Sequence, residues 1–212
     1  MTLQQRILVG VMTLALGLGG VAAETLTPPQ ESLNGLRPGS LTLADVQTQM
    51  GKKPDVTNDG GLLHLYGGPE ESSLYGWFMI ENPNYTVPDL AVETARDSDR
   101  VDLVMAIGYD GLKTEKGITC FASEDELIEA YGKPKFAFAV PMQGYVLYEV
   151  YYPQLGISFD LAAIGTSTQR EVIAIYVTYP ENLQRAIELR KQYIEQGVGK
   201  DVTAAYGGTI AA

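Results

Sequence analysis

The chain has 212 residues, with 26 Asp and Glu against 15 Lys and Arg, and a formal net charge of -11 at pH 7. This length suits one bilobed domain or two small ones, with a core large enough to fold without disulfides. Such an acidic chain argues against nucleic-acid binding and against anionic lipid surfaces, because both need clustered Lys and Arg. A basic protein partner or a neutral glycan stays open.

The N-terminus has the composition of an export signal. Arg6 precedes the uncharged apolar run 7–19, and small residues at 21–23 suit a signal peptidase. We predict a signal peptide at 1–23 and an exported protein, periplasmic or extracellular. We expect no stable membrane span after cleavage, because the apolar run is shorter than the roughly 20 residues that cross a bilayer.

A flexible leader is predicted next, at 24–35, where Pro, Ser, Thr and Asn are frequent. The first folded unit is expected at 36–110. Thr42 and Asp45 predict the start of a helix, and Gly51 predicts its end. The strands predicted in this unit are Leu62–Tyr66, Leu74–Ile80 and Arg100–Ile107, with an irregular segment at Glu81–Asp99.

The second unit is predicted at 111–179 and has clearer signals. Ser123 and Glu126 form the pattern of a capping box, and Gly132 ends the helix. Segments rich in β-branched and aromatic residues then predict strands. These strands are Tyr145–Tyr152, Gly156–Ala163 and Glu171–Thr178, with a further short one at Phe136–Val140.

The two units have similar sequences. Residues 42–54 read TLADVQTQMGKKP and residues 123–134 read SEDELIEAYGKP, each followed by alternating apolar segments. We predict an α+β fold of two tandem repeats, each with short helices packed on an antiparallel sheet of three or four strands.

A C-terminal helix is predicted at 180–197 and a disordered tail at 198–212. One face of that helix should lie against a sheet. This face carries Leu183, Ile187, Arg190 and Ile194.

The segment 117–119, the segment 123–134 and the aromatic β-meander after them resemble the repeat unit of a known group. That group contains the β-lactamase inhibitor protein and the small lipoproteins of the outer-membrane assembly machinery. The resemblance, over about 36–178, implies a helical hairpin on a small antiparallel sheet, tandem copies that form a concave surface, export, protein binding and no catalysis. The chain lacks both the lipidation Cys of the lipoproteins and the paired Cys of the inhibitor, so no particular target is implied.

Few side chains could support catalysis or hold a metal. His64 is the single His and Cys120 the single Cys, so a four-ligand zinc site lacks members. A Ser–His–Asp triad could use only His64, which we interpret as an outward strand residue. We interpret Cys120 as a buried, unreactive thiol. The sequence therefore predicts no enzyme, no cofactor and no metal site.

Acidic residues leave one catalytic hypothesis open. The patches 58–60 and 97–102 lack the spacing of an EF-hand, so they are interpreted as solvated loop acids rather than Ca²⁺ ligands. Glu149 and Asp160 lie on predicted strands and are the acids that a glycosidase pair would use. A hydrolase using these two acids is our third hypothesis.

Aromatic residues give the best indication of function. Tyr and Trp are enriched in protein interfaces and in sugar-stacking surfaces, although they are also ordinary core residues of strands. The candidate binding residues are Tyr66, Tyr75, Trp77, Tyr145, Tyr148, Tyr151 and Tyr152. We predict an exported, non-catalytic module whose aromatic sheet face binds another, unidentified protein, as an envelope assembly factor or an enzyme inhibitor. The alternative is a carbohydrate-binding module that stacks a cell-envelope glycan on Trp77 and neighbouring Tyr.

Overall fold

The computed structural model describes residues 26–61, 65, 68, 71–80, 87–163, 165 and 167–206. The helices in these ranges are α1 (Leu43–Met50), α2 (Glu124–Tyr131) and α3 (Pro180–Glu195). The strands are β1 (Val56–Asp59), β2 (Ser72–Trp77), β3 (Leu90–Ala95), β4 (Val101–Ile107), β5 (Phe136–Met142), β6 (Tyr145–Tyr152), β7 (Ile157–Ala163), β8 (Arg170–Thr178) and β9 (Lys200–Asp201). Two short 3₁₀ turns are formed at Pro153–Leu155 and Thr203–Tyr206.

Both short helices begin with the capping box that the sequence predicts. Thr42 Oγ1 accepts a hydrogen bond from the Asp45 N–H, and the Asp45 carboxylate accepts one from the Thr42 N–H. Ser123 and Glu126 make the same reciprocal pair at the start of α2. Each box pairs backbone groups that a helix leaves without internal partners, so local sequence determines where these helices start.

The strands form one antiparallel sheet of nine strands in the order β1-β2-β3-β4-β8-β7-β6-β5-β9. The prediction of two repeats, each with its own small sheet, is therefore wrong. The two halves join through β4 and β8, whose register runs from Leu103 opposite Thr178 to Ile107 opposite Ala174. Because β4 is buried along its whole length, an edge position in a separate sheet would expose apolar side chains and unpaired backbone groups. Because β4 pairs with β8, both strands are internal to the sheet and neither is an edge strand.

Strand prediction succeeds in the second half and is less accurate in the first. Strand β6 has the predicted bounds, and β5, β7 and β8 match within one or two residues. Strand β3 lies inside the segment predicted to be irregular. It is missed because two of its buried residues, Glu93 and Thr94, are polar and interrupt the apolar pattern of a buried strand. Strand β1 is missed because its sequence, VTND, is polar. Most of the predicted strand Leu62–Tyr66 lies outside the described residues.

The sheet carries apolar side chains on both faces. We call face A the side that packs against α1, α2 and the 26–42 segment, and face B the side that packs against α3. The buried cluster on face A includes Val46 of α1, Leu127 of α2, and Phe159 of β7.

Helix α3 packs on face B through the apolar stripe that the sequence predicts. The buried cluster between α3 and the sheet contains Phe138 and Tyr151 of the sheet and Leu183, Ala186 and Ile187 of α3. None of the helices in the described ranges combines the length and the apolar character that a membrane span requires.

The structure differs from the sequence prediction at both ends of the folded region. Residues 26–35, predicted to be a flexible leader, pack on the domain: Leu33 is fully buried, and the Tyr131 hydroxyl donates to Glu31 Oε2 at 2.9 Å. Residues 200–206, predicted to be disordered, add β9 to the edge of β5, and the Ala137 N–H donates to Thr203 Oγ1 at 2.9 Å. The predicted signal peptide and residues 207–212 lie outside the described residues.

Gly156 lies where the N-terminal segment contacts the sheet, so a substitution there tests how tightly the two pack. Its φ is 75°, and a Cβ there would lie 2.5 Å from both Pro29 Cβ and Thr178 O. We expect Gly156→Ala to lower the free energy of unfolding by about 2–4 kcal/mol, since left-handed strain and overpacking add. Urea unfolding measures this change.

The matched control is Gly51→Ala. Gly51 is also left-handed, with φ 67°, but a Cβ there would meet nothing within 4 Å. Only the backbone strain of about 1 kcal/mol is expected. Equal losses in the two variants would contradict close packing around Gly156.

Candidate functional site

Three of the seven aromatic residues chosen from the sequence pack in the face A core. Trp77 is 0 % exposed, and its indole N–H donates to Lys52 O at 3.2 Å. Tyr152 is buried in the same cluster. Tyr148 packs at its margin, with the Arg170 guanidinium 4.3 Å from the ring centroid. These rings stabilise the fold and present little free surface.

Two further candidates lie on face B, and Tyr75 packs at another margin of the face A cluster. Tyr151 is buried on face B beneath α3, and Tyr145 packs on face B against the small cluster that includes Leu147. Tyr66 lies outside the described residues. Tyr75 is half-buried on face A and lines an open cleft. The six candidates that the structure describes therefore do not form one exposed aromatic surface.

The Tyr75 cleft lies between the start of α1 and the outer strands β2 and β3. Its volume is about 430 Å³, and its lining residues are Leu43, Ser73, Tyr75, Thr94, Ala95, Asp97, Ser98 and Asp99. Ser73 and Thr94 are paired across the two strands, which places both residues on the same face of the sheet as Tyr75. The Leu43 N–H donates to Asp99 O at 2.7 Å. This hydrogen bond connects α1 to the turn that carries Asp97 and Asp99, which we call the acidic turn.

The acidic turn gives the cleft a negative edge. Asp97 and Asp99 are exposed, and Asp97 has a positive φ of 60°, which Asp and Asn tolerate better than most residues. The arginines that flank the turn in sequence make their ion pairs with other acids, Arg96 with Glu71 at 2.8 Å and Arg100 with Asp102 at 3.1 Å. The contact with Glu71 and, to a smaller extent, the charge of Asp97 raise the pKa of Arg96. An aromatic ring beside carboxylates and hydroxyls can accept a cation or several hydrogen-bond donors.

A second polar cluster lies between face B and α3. Glu149 of β6 and Asp160 of β7 are directly opposite each other, and each is 7 % exposed. Arg190 of α3 donates from Nε to Glu149 Oε2 at 2.6 Å and from Nη2 to Glu149 Oε1. The Tyr151 hydroxyl donates to Glu149 Oε2 at 3.2 Å, and the Tyr176 hydroxyl donates to Asp160 Oδ2 at 3.0 Å.

Only Glu149 of the two acids makes an ion pair with Arg190, while Asp160 is buried beside it. Burial, followed by the negative charge of Glu149, raises the pKa of Asp160 to about 8. Asp160 is therefore mostly protonated at pH 7. Burial alone would lower the pKa of Arg190, but Glu149 and its neighbours hold it above its ordinary value. The interface between α3 and face B thus contains the protonated Asp160, the Glu149 carboxylate and the Arg190 guanidinium.

This cluster contains the acid pair that the hydrolase hypothesis uses. A protonated carboxyl beside a carboxylate is the pattern of a glycosidase site. Here both groups lie beneath α3, and Glu149 is held by a two-pronged Arg contact, so a glycan has no open approach to them. Sequence reasoning missed Tyr176 and the role of Arg190. The available signal was an Arg in the apolar stripe of the last helix.

The remaining sequence candidates offer little chemistry. Burial raises the pKa of the Cys120 thiol to about 11, which disfavours the reactive thiolate. His64 lies outside the described residues. Asp102 of the second acidic patch accepts a hydrogen bond from the Tyr179 hydroxyl at 3.0 Å. Within the part of the chain that the structure describes, no three His, Cys, Asp or Glu side chains are grouped to hold a metal ion.

Comparison with known protein families, with curated proteins and with solved structures finds no match for this chain. The resemblance to the group of the β-lactamase inhibitor protein and the assembly lipoproteins stays a prediction from the sequence.

Arg190 and Lys191 provide a matched test of the buried cluster. They are adjacent on α3 and each pairs with a Glu, but Arg190 is mostly buried whereas Lys191 pairs near the surface with Glu188. We expect Arg190→Met to lower the free energy of unfolding at pH 7 by about 3–5 kcal/mol, because Glu149 is left buried without its cation.

Lys191→Met should change the free energy of unfolding by less than about 1 kcal/mol. Urea unfolding of both variants under the same conditions makes the comparison. Similar losses would show that the Arg190–Glu149 contact contributes no more than an exposed ion pair.

Proposed function

We propose that the chain is an exported, non-catalytic protein-binding module that takes a basic side chain of its partner into the Tyr75 cleft. The observation that supports this most directly is the cleft itself, which combines a half-exposed Tyr ring with the exposed carboxylates of Asp97 and Asp99. The apolar N-terminal run supports export. The role of an assembly factor or of an inhibitor, suggested by the sequence resemblance, is compatible with this cleft.

The chemistry of the cleft favours a Lys or Arg side chain. A cation over an exposed Tyr ring contributes about 0.5–1 kcal/mol, and an exposed carboxylate pair contributes about 0.2–1 kcal/mol. The net charge of -11 would also attract a basic partner over longer range. These contributions are small, so the cleft serves as one anchor point inside a larger interface of about 1,000 Å² or more.

A carbohydrate-binding module is the second candidate. The Ser73 and Thr94 hydroxyls and the Asp97 carboxylate beside the Tyr75 ring would also suit a sugar, which stacks on an aromatic ring and forms hydrogen bonds at its rim. Trp77, on which the sequence hypothesis placed the sugar, is fully buried. A glycan would therefore have to use Tyr75.

The double variant Asp97→Asn/Asp99→Asn tests the cleft without disturbing its shape. Asn tolerates the positive φ at position 97. We expect the basic peptide Gly-Lys-Arg-Gly to shift the backbone NMR signals of 73–75 and 94–99 in the native chain. The double variant should bind about threefold to tenfold more weakly, because two carboxylates are lost.

Asp110→Asn is the matched control, since Asp110 is an exposed acid outside the cleft. Its affinity for the peptide should equal that of the native chain. Peptide-induced shifts scattered over the surface, or equal weakening in both variants, would contradict the proposed site. Shifts at 73–75 with a neutral oligosaccharide, and none with the peptide, would favour the glycan alternative.

A further inference from the structure

We propose that the docking of α3 on the sheet depends on a single proton between Glu149 and Asp160, and that α3 detaches reversibly when this proton is lost. Loss of the proton would leave two carboxylates and one guanidinium in the interface. Detachment would uncover the apolar surface of Phe138 and Tyr151 that α3 now buries. This inference does not depend on the Tyr75 cleft.

The geometry explains why one proton is needed. Directly opposed residues on antiparallel strands have Cβ atoms about 4.5–5.5 Å apart, so Glu149 and Asp160 cannot both be ionised there without strong repulsion. Arg190 directs both of its hydrogen bonds to Glu149. A single cation balances a single carboxylate, and the second acid stays neutral.

The other groups around Asp160 do not replace that proton. The charged or titratable groups that face it are Glu149 and Tyr151 from β6, Tyr176 from β8 and Arg190 from α3. Burial, together with Glu149, also raises the pKa of the Tyr151 hydroxyl, so this group stays neutral at physiological pH. Tyr176 donates a hydrogen bond to Asp160 but contributes no positive charge.

Helix α3 is the element that can respond, because the strands beneath it are internal to the sheet. Strands β6 and β7 are hydrogen-bonded on both sides, whereas α3 is joined to the sheet by side-chain packing, by side-chain hydrogen bonds from Arg190 to Glu149 and from Asn182 to Thr178, and by its two chain connections. It begins at Pro180, directly after β8, and it leads to the two-residue strand β9 at the sheet edge. Movement about these short connections would bring water to Asp160.

The sign of the pH effect follows from the two states of Asp160. With α3 docked, the pKa of Asp160 is about 8. With α3 detached, water reaches Asp160 and its pKa falls toward the ordinary value of about 3.9, while Glu149 stays opposite it on β6 and keeps the pKa above that value. Between the detached and docked pKa values the detached state binds fewer protons, so docking weakens by up to about tenfold per pH unit as the pH rises toward 8. Docking is tightest in acid and levels off above pH 8. An exported protein experiences the pH of its surroundings, which makes this range relevant.

Hydrogen exchange measured at pH 5 and pH 7 tests the proposal on the native chain. After correction for intrinsic exchange, protection factors of the amides at 184–194 should be lower at pH 7 than at pH 5, by up to about 100-fold. Those of β4 should change little. Equal α3 protection at the two pH values would overturn the proposal, and so would a parallel loss across the whole sheet.

Asp160→Asn removes the titrating group and keeps a neutral side chain of the same shape that can accept from Tyr176. In this variant α3 protection should be the same at pH 5 and pH 7, and higher at pH 7 than in the native chain. A pH dependence that survives in Asp160→Asn would assign the effect to another group and overturn the proposal.

Ser158→Ala is the matched control. Ser158 is buried on face B between Tyr151 and Tyr176 in the strand register, and its hydroxyl makes no hydrogen bond to any described residue. It does not titrate, so the variant should keep the native pH dependence of α3. Loss of that dependence in Ser158→Ala would show that local packing, not the proton, controls α3.

Discussion

The pairing of β4 with β8 is the constraint on which the rest of the structure depends. Both strands are buried over most of their length, so they need a hydrogen-bonded neighbour on each side and a packed layer on each face. Joining them makes one sheet with two apolar faces. Face A is then packed by α1, α2 and the 26–42 segment, while part of face B is packed by α3. The strand order thus determines where every helix can lie.

A sheet buried on both faces also decides the role of its aromatic residues. On a half-exposed sheet, alternate rings would face solvent and could form a binding surface. Here consecutive Tyr151 and Tyr152 point to opposite faces, and both are buried. An aromatic side chain that a ligand can reach is therefore found at the margin of face A. There the cleft between the start of α1 and strands β2 and β3 leaves Tyr75 near the acidic turn.

The charged cluster beneath α3 is unusual because an apolar interface would be easier to form. Buried ion pairs stabilise a fold less than apolar packing of equal volume, but they disfavour alternative positions of the helix that carries the charge. Arg190 reaches Glu149 only if α3 lies in its observed position on face B. The opposed Asp160 makes that position dependent on protonation, which connects the local packing of one helix to solution conditions.

The sequence by itself determined the local features: both capping boxes, the three helices, and the strands of the second half, because caps, helix stops and alternation depend on residues close in the chain. It also paired Glu149 with Asp160 as candidate acids and placed Arg190 on the packed face of the last helix, but it did not bring Arg190 to the two acids. Tertiary structure alone decided that the two halves share one sheet, that Trp77 is core, and that residues 26–35 are packed. Strand partners and the burial of each face are set by contacts between segments that are distant in the chain. A polar strand such as β1, or a partly polar one such as β3, can be identified only once its neighbouring strands are known.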